Sequence, residues 1–169
     1  MIARYIVLRQ RIESELDDVR RAAAKAEQAF QRARRSNQDI DFYLDSVAIN
    51  LHGFYNGVER IFEGIARELD GGVPEGPNWH RGLLGQMALD VATLRPAVLR
   101  RDTATRLDEY LRFRHLVRNL YTWNFETDKL SHLVTGLPSI LEALEGDLAA
   151  FGEFLEAAGH TDTASTSRL

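Results

Sequence analysis

One short segment gathers side chains whose chemistry stands out from the rest of the chain. Residues 112–121 place two arginines, a histidine, an asparagine and a tyrosine on the inner half of an amphipathic helix: Arg114, Arg118, His115, Asn119 and Tyr121. Arg114 lies three residues after Leu111 and three before Val117, so helical spacing directs it along the apolar seam. A guanidinium stays charged and is rarely buried without a partner. The seam must therefore offer it a carboxylate, a carbonyl or a phosphate.

These residue types suit the metal-free cleavage of RNA, which needs a base for the 2′-hydroxyl and donors for the charge that develops on phosphorus. Arg114 and Arg118, one turn apart, can present planar forks to phosphate oxygens. His115 can supply the base, because imidazole titrates near neutral pH. His115 is, however, rotated about a hundred degrees from Arg114 around the helix. A dimer that contributes His115 across its interface is one way to restore the geometry.

The same residues also admit structural roles. Arg114 and Arg118 can pair inside the bundle with one of three acids, Glu59, Glu63 or Asp108. His115 can be an interface histidine, and Tyr121 can place its hydroxyl on a backbone carbonyl. Three aromatic residues suit the core or a dimer surface better than base stacking: Trp79, Trp123 and Phe125. His52 lies beside an apolar seam and is predicted to be a packing histidine.

Metal chemistry has little support in the sequence. No histidine of the helices has a glutamate three residues before it, as a di-iron bundle requires. The pairs Asp41/Asp45 and Glu59/Glu63 stand one turn apart and have the spacing to hold magnesium. Such pairs more often are solvated or bind arginines such as Arg60. We expect neither a metal nor a cofactor.

Composition sets the broad class of the protein. The 169 residues contain no cysteine, which excludes disulfides and thiolate chemistry. A net charge of −4 argues against a surface that coats nucleic acid generally, although residues 95–118 hold seven arginines against three acids. No apolar run is long enough to span a bilayer, and the first residues do not form a signal peptide. We expect a cytoplasmic protein without membrane contact.

Hydrophobic periodicity predicts helices throughout the chain. They cover about residues 2–33, 39–70, 78–91, 102–121 and 127–158, with a kink or break near Gly136 and Pro138 in the last. The predicted fold is an all-α, up-and-down bundle of four main helices plus a short one. It forms a single domain over residues 1–158, followed by a disordered tail over residues 159–169 that starts at a C-capping Gly159.

The segment 114–121 resembles the signature helix of the HEPN superfamily, specifically its HepT-like toxin branch. That family pattern is an arginine, four residues, a histidine, one residue and a tyrosine. Arg114 and Tyr121 fall in register, Asn119 occupies the histidine position, and a histidine stands instead at His115. Four other stretches are also similar to HepT-like ribonuclease toxins, so that the resemblance spans roughly residues 40–155: residues 51–62, 78–80, 95–98 and 113–125.

The resemblance implies a dimeric toxin of a bacterial toxin–antitoxin pair that cuts single-stranded RNA without a metal. It also implies a nucleotidyltransferase-type antitoxin as partner, which in HepT-like pairs can adenylylate the motif tyrosine, here Tyr121. In the family the arginine holds the scissile phosphate and the histidine transfers protons. Asn119 can form hydrogen bonds but cannot be a base near pH 7.

Two functions therefore compete. The first is an endoribonuclease whose site comprises Arg114, His115, Arg118 and Asn119, with Tyr121 as a regulatory position. The second is a non-catalytic HEPN-type dimer that binds RNA or a partner and has lost cleavage because Asn119 replaces the motif histidine.

Overall fold

The computed structural model describes the backbone of residues 2–118 and 126–166, and the side chains of this part except those of residue 2 and residues 161–166. Five helices account for most of it, and the described residues contain no β-strand. In chain order they are α1 (Ile2–Arg35), α2 (Ile40–Leu69), α3 (Trp79–Met87), α4 (Arg101–Arg118) and α5 (Thr127–Thr166). The prediction of an all-α bundle with four main helices and one short helix is confirmed.

Helix α1 lies between α2 and α5 and runs antiparallel to both. Its first turns pair with the end of α2, as in the ion pair Arg4–Glu68, whereas Glu15, further along α1, pairs with Arg60. The same order reversal holds towards α5, where Arg9 meets Glu156 and Arg20 meets Glu145. Such exposed ion pairs fix register more than they stabilise the fold, because solvent screens each of them.

Helix α2 supplies the centre of the core because its apolar residues recur at three- and four-residue spacing over most of its length. The predicted stripe is buried at seven positions: Leu44, Val47, Leu51, Phe54, Val58, Ile61 and Ile65. Ile40, at the first turn, is instead exposed. One face of α2 packs on α1, while α3, α4 and α5 pack on its remaining surface. Helix α2 is therefore the element that can bring residues of several helices together.

Two predicted helix ends differ from the structure. Helix α3 ends at Met87 rather than near Val91, because the Val91 N–H bonds to the Arg95 carbonyl in a tight turn. Helix α5 continues through Gly159, where the sequence placed its C-cap and the start of a tail, to Thr166. Gly159 is buried, and its Cα faces the ring of Tyr5, so α1 offers this last part of α5 a packing partner.

Helix α5 also continues unbroken through Gly136 and Pro138. The Tyr110 hydroxyl of α4 donates a 2.8 Å hydrogen bond to the Leu133 carbonyl in this region. A Cβ at position 136 would lie only 3.0 Å from that hydroxyl oxygen. Glycine at position 136 leaves room for the tyrosine hydroxyl to approach the helix.

A buried ion pair fastens the segment between α3 and α4 to the end of α2. The Arg95 side chain is fully buried and binds Asp70 through two bonds, Nε–Oδ1 at 2.6 Å and Nη2–Oδ2 at 2.7 Å. Its remaining N–H groups donate to the carbonyls of Leu89, Pro96 and Gln86. The arginine thereby satisfies the Leu89 and Pro96 carbonyls of the irregular segment, and it shares the Gln86 carbonyl with the Leu89 N–H.

Two glycines of α2 give opposite predictions for replacement by alanine. A Cβ at Gly57 would lie 2.7 Å from Val19 Cγ2 of α1, whereas Gly64 has no atom within 4 Å of that position. We expect Gly57→Ala to destabilise the protein by about 1–3 kcal/mol through overpacking. Gly64→Ala should stabilise it by about 0.5–1 kcal/mol, because alanine is the better helix former. Urea unfolding of both variants checks this, and equal effects at the two positions would contradict the close α1–α2 contact.

Candidate functional site

A buried glutamate of α2 joins three helices. Glu59 lies four residues after Tyr55 and three before Phe62, both of which are buried, so the helix directs its side chain into the bundle. One carboxylate oxygen, Oε2, lies 2.7 Å from His80 Nδ1 of α3, and the other, Oε1, lies 3.3 Å from Arg114 Nη2 of α4. The Glu59 side chain is only 5% exposed. A buried carboxylate requires such partners, because burial without them costs several kcal/mol.

Arg114 is held on two sides, but one of its nitrogen atoms lacks an acceptor among the described residues. Its Nε donates a 2.6 Å hydrogen bond to Asn56 Oδ1, and its side chain is 11% exposed. Nη1 is buried, and none of the residues that the structure describes accepts a hydrogen bond from it. An unsatisfied buried donor costs about 1–3 kcal/mol, and more on a charged group. The pairing with Glu59 is one of the structural alternatives that the sequence left open for Arg114.

Three aromatic rings, each in contact with the next, lie beside the Glu59–Arg114 ion pair. The Trp79 ring stacks on His80 with centroids 3.7 Å apart, and the His80 ring meets that of His115 edge to face at 5.2 Å. His80 is buried and His115 is half-buried. His115 is thus in ring contact with His80 and next to Arg114 along the chain, as a proton-accepting group of an Arg114 site would have to be.

The electrostatics of the site favour neutral imidazoles. Burial, followed by the charges of His80 and Arg114, lowers the pKa of His115 below its ordinary value, although Glu59 opposes the shift. Burial and the charge of Arg114 also lower the pKa of His52. His52 Nδ1 lies 3.2 Å from Asn56 Nδ2, so it touches the same asparagine that binds Arg114. A neutral imidazole can accept a proton, and an imidazolium cannot.

Of the other predicted site residues, only Arg118 is among the described residues. Arg118 is exposed at the last residue of α4. Asn119 and Tyr121 lie outside the described residues, as do Trp123 and Phe125. Trp79 is partly buried against the core, and its ring also covers one face of His80. Of the predicted site, the described part therefore brings together Arg114 and His115, with Arg118 one turn further.

Most of the predicted basic patch is neutralised by nearby acids. Five of its seven arginines form ion pairs with described residues: Arg95–Asp70, Arg100–Asp147, Arg106–Asp102, Arg112–Asp108 and Arg114–Glu59. Arg112 is well exposed, in contrast to Arg114 two residues later. The local excess of positive charge that the sequence suggested is therefore not a continuous cationic surface.

Three partners in the site were not predicted from the sequence. Asn56 and His80 appeared only within stretches that resembled a family, and His52 only as a packing residue. The available signal was weak but physical. Glu59 and Asn56 are polar residues of an amphipathic helix that lie one turn or less from fully buried neighbours such as Tyr55. A charged residue at such a position predicts a buried partner on another helix.

Within residues 2–118 and 126–166 no group of three or more histidine, aspartate or glutamate side chains is arranged to hold a metal ion. Across the same residues, no helix combines the length and the apolar character that a membrane crossing requires.

Comparison with known proteins supports one family. The family model described as HepT-like protein matches residues 46–155, which include α2 from its seventh residue, all of α3 and α4, and most of α5. No curated protein and no solved structure gave a significant match.

Proposed function

Because this chain belongs to the HepT-like family of the HEPN superfamily, we propose that it is a toxin-type, metal-independent endoribonuclease acting on single-stranded RNA. The observation that carries the proposal is Arg114, a largely buried guanidinium beside a histidine with a lowered pKa, whose Nη1 has no acceptor in the described part of the chain. A phosphate oxygen of RNA would supply the missing acceptor, and His115 would take the proton from the 2′-hydroxyl. The pairing of a fixed cation with a neutral base is what this transesterification needs.

The proposed base and the proposed cations are described residues. Attack of the 2′-oxygen on phosphorus breaks the bond to the 5′-oxygen and leaves a 2′,3′-cyclic phosphate. His115 accepts the 2′-hydroxyl proton, and water or a protonated imidazole returns a proton to the departing 5′-oxygen. Arg114 stabilises the charge on the non-bridging oxygens, with Arg118 one turn away as a second, exposed cation. Asn119 would orient the 2′-hydroxyl or the phosphate by hydrogen bonds rather than transfer a proton.

The proposed partners follow from the family and from exposed apolar side chains. A second copy of the chain is favoured by Phe42 and Ile49 on α2 and Leu116 on α4, which are exposed although large and apolar. Leu116 is next to His115 and Ile49 is one turn before His52, so a copy docked there would approach the site. A nucleotidyltransferase-type antitoxin that modifies Tyr121, and a cytoplasmic location, belong to the same proposal.

The burial of Arg114 also favours the second function, a non-catalytic dimer that binds RNA or a partner. Asn56 and Glu59 hold two of its three guanidinium nitrogens, as in an ion pair that only joins helices. In that case the acceptor for Nη1 would come from a docked protein rather than from a substrate.

Cleavage of a single-stranded RNA by the full chain in EDTA tests the proposal. We expect cleavage with 2′,3′-cyclic phosphate ends, and a loss of about 100-fold in rate for His115→Ala. Because the pKa of His115 is lowered, the base stays neutral into mildly acidic solution, so the rate should hold below pH about 6.5 before it falls. His132→Ala, an exposed histidine on α5, is the matched control. RNA that stays intact under every condition, but binds the protein, would select the non-catalytic function.

A further inference from the structure

We propose that His80 is a positioning residue that couples Glu59 to His115, so that α2, α3 and α4 contribute one connected unit to the site. This inference rests on the proposed function for its role in RNA cleavage, but the coupling itself concerns only the folded protein. His80 lies outside the signature helix and comes from the shortest helix of the bundle, α3.

The geometry fixes the His80 ring from several directions. Its Nδ1 is 2.7 Å from Glu59 Oε2, and this contact requires the proton on Nδ1, because a carboxylate only accepts. Trp79 covers one face of the ring, and the His115 ring approaches at an interplanar angle of 76°. A carboxylate that holds one nitrogen of an imidazole fixes its tautomer and orientation. His80 can thus define where the His115 ring lies.

The burial of His80 decides whether it contacts substrate directly or acts through another residue. The His80 side chain is 8% exposed, whereas His115 is half-buried. Substrate therefore reaches His115 more readily than His80, and His80 acts through its neighbour. If His80 only filled space, an apolar residue could replace it at no cost in stability. An apolar side chain needs no hydrogen bonds to offset its burial, whereas a buried imidazole does.

The charges that face His115 come from all three elements of the unit. His80 lies on α3, Arg114 and Arg118 on α4, and Glu59 on α2. His80 and the two arginines lower the pKa of His115, and Glu59 raises it. Glu59 thus acts on His115 in two ways, directly through its charge and indirectly through the His80 ring that it holds.

The test replaces His80 by asparagine, whose side-chain N–H₂ can still donate to Glu59 but which has no ring and no charge. His132→Asn is the matched control, because His132 also bonds a glutamate, Glu109 of α4, but on the surface. NMR titration of the imidazole resonances of the full chain measures the pKa of His115 in each protein. We expect this pKa to rise in His80→Asn and to stay unchanged in His132→Asn. An equal pKa in both variants would overturn the inference.

A second arm separates this inference from the proposed function. If the chain cuts RNA, His80→Asn should lower kcat about tenfold, leave KM unchanged, and move the acidic limb of the kcat–pH profile to higher pH. A His80 that is only structural would lower stability and leave that limb in place, which would overturn the inference. If the chain cuts no RNA but the pKa of His115 still rises, the proposed function fails while the coupling stands.

The wild-type chain gives an answer even where the variant does not fold. Two coupled imidazoles each report the titration of the other. The His80 resonance should therefore show an inflection at the pKa of His115, and the exposed His132 should show none. A His80 resonance whose chemical shift does not change at the pKa of His115 would overturn the inference.

Discussion

Arg114→Lys is expected to reduce RNA cleavage by about 100-fold or more while the protein stays folded. Lysine keeps the positive charge that Glu59 needs, at a side chain of similar length. It lacks the planar fork that donates to Asn56, to Glu59 and to a third acceptor at once. The rate in EDTA and the far-ultraviolet circular dichroism of the same preparation measure the two effects separately.

The control for this experiment is Arg112→Lys. Arg112 is on the same helix, is exposed, and pairs with Asp108, one turn before it. An exposed pair of this kind contributes at most about 0.5 kcal/mol, and a lysine can replace it. We expect its cleavage rate to match that of the wild type within about twofold. An Arg114→Lys variant that cuts as fast as Arg112→Lys would remove Arg114 from the proposed site.

Arg95→Ala is expected to lower the free energy of unfolding by about 3–5 kcal/mol. The substitution leaves the Asp70 carboxylate, 6% exposed, without its cation, and leaves the Leu89 and Pro96 carbonyls without their donor. Domains of this size are stable by about 5–15 kcal/mol, so the change removes a large part of the total. Urea unfolding measures it.

Arg67→Ala is the comparison for Arg95→Ala. Arg67 is an exposed arginine in the last turn of α2 and pairs with Glu63 four residues earlier. Its loss should cost about 0.3–0.5 kcal/mol. If the two substitutions destabilise the chain equally, the Arg95–Asp70 pair does not anchor the segment between α3 and α4.

The long helices could be predicted because their apolar spacing repeats over many turns. The stripe from Leu44 to Ile65 in α2 is a local pattern, and burial of one face follows from it. The end of α5 could not be predicted in this way. Gly159 is typical of a helix end, but in the fold it is buried against Tyr5, which is more than 150 residues away in sequence.

The site was predictable only in part, because it too depends on contacts between residues that are far apart in sequence. Arg114 and His115 are adjacent in sequence, but one residue turns the helix by about a hundred degrees, so spacing alone did not place them in one site. The contact of His115 with the His80 ring, which Glu59 holds, places it beside the Arg114–Glu59 pair. Glu59, the partner of Arg114, was one of three acids that the sequence allowed for it, and nothing local selects it over Glu63 or Asp108. In the structure Glu63 binds Arg67, and Asp108 binds Arg81 and Arg112. The choice depends on how α4 crosses α2, which is a property of the whole bundle.

Arg95 shows a second limit of prediction from sequence, because charge counted along the chain does not predict exposure. In sequence it counts as one of a run of arginines, and such a run predicts an exposed basic face. In the fold its side chain has no exposure at all, because Asp70 and the carbonyls of an irregular segment surround it. Net charge along the chain cannot distinguish a solvated cation from one that replaces missing backbone donors.

The attachment of α3 to Glu59 has a consequence for how the protein opens locally. A helix of nine residues is not stable alone in water, so α3 is ordered only while Leu83, Leu84, Met87 and His80 are docked. When α3 detaches, Glu59 loses one of its two partners and becomes accessible to water, and Arg114 loses the low-dielectric environment of its ion pair. Amide exchange in α3 and the integrity of the Arg114 site thus belong to one cooperative unit of the native state. Whatever tightens or loosens this short helix sets the fraction of molecules in which the site is assembled.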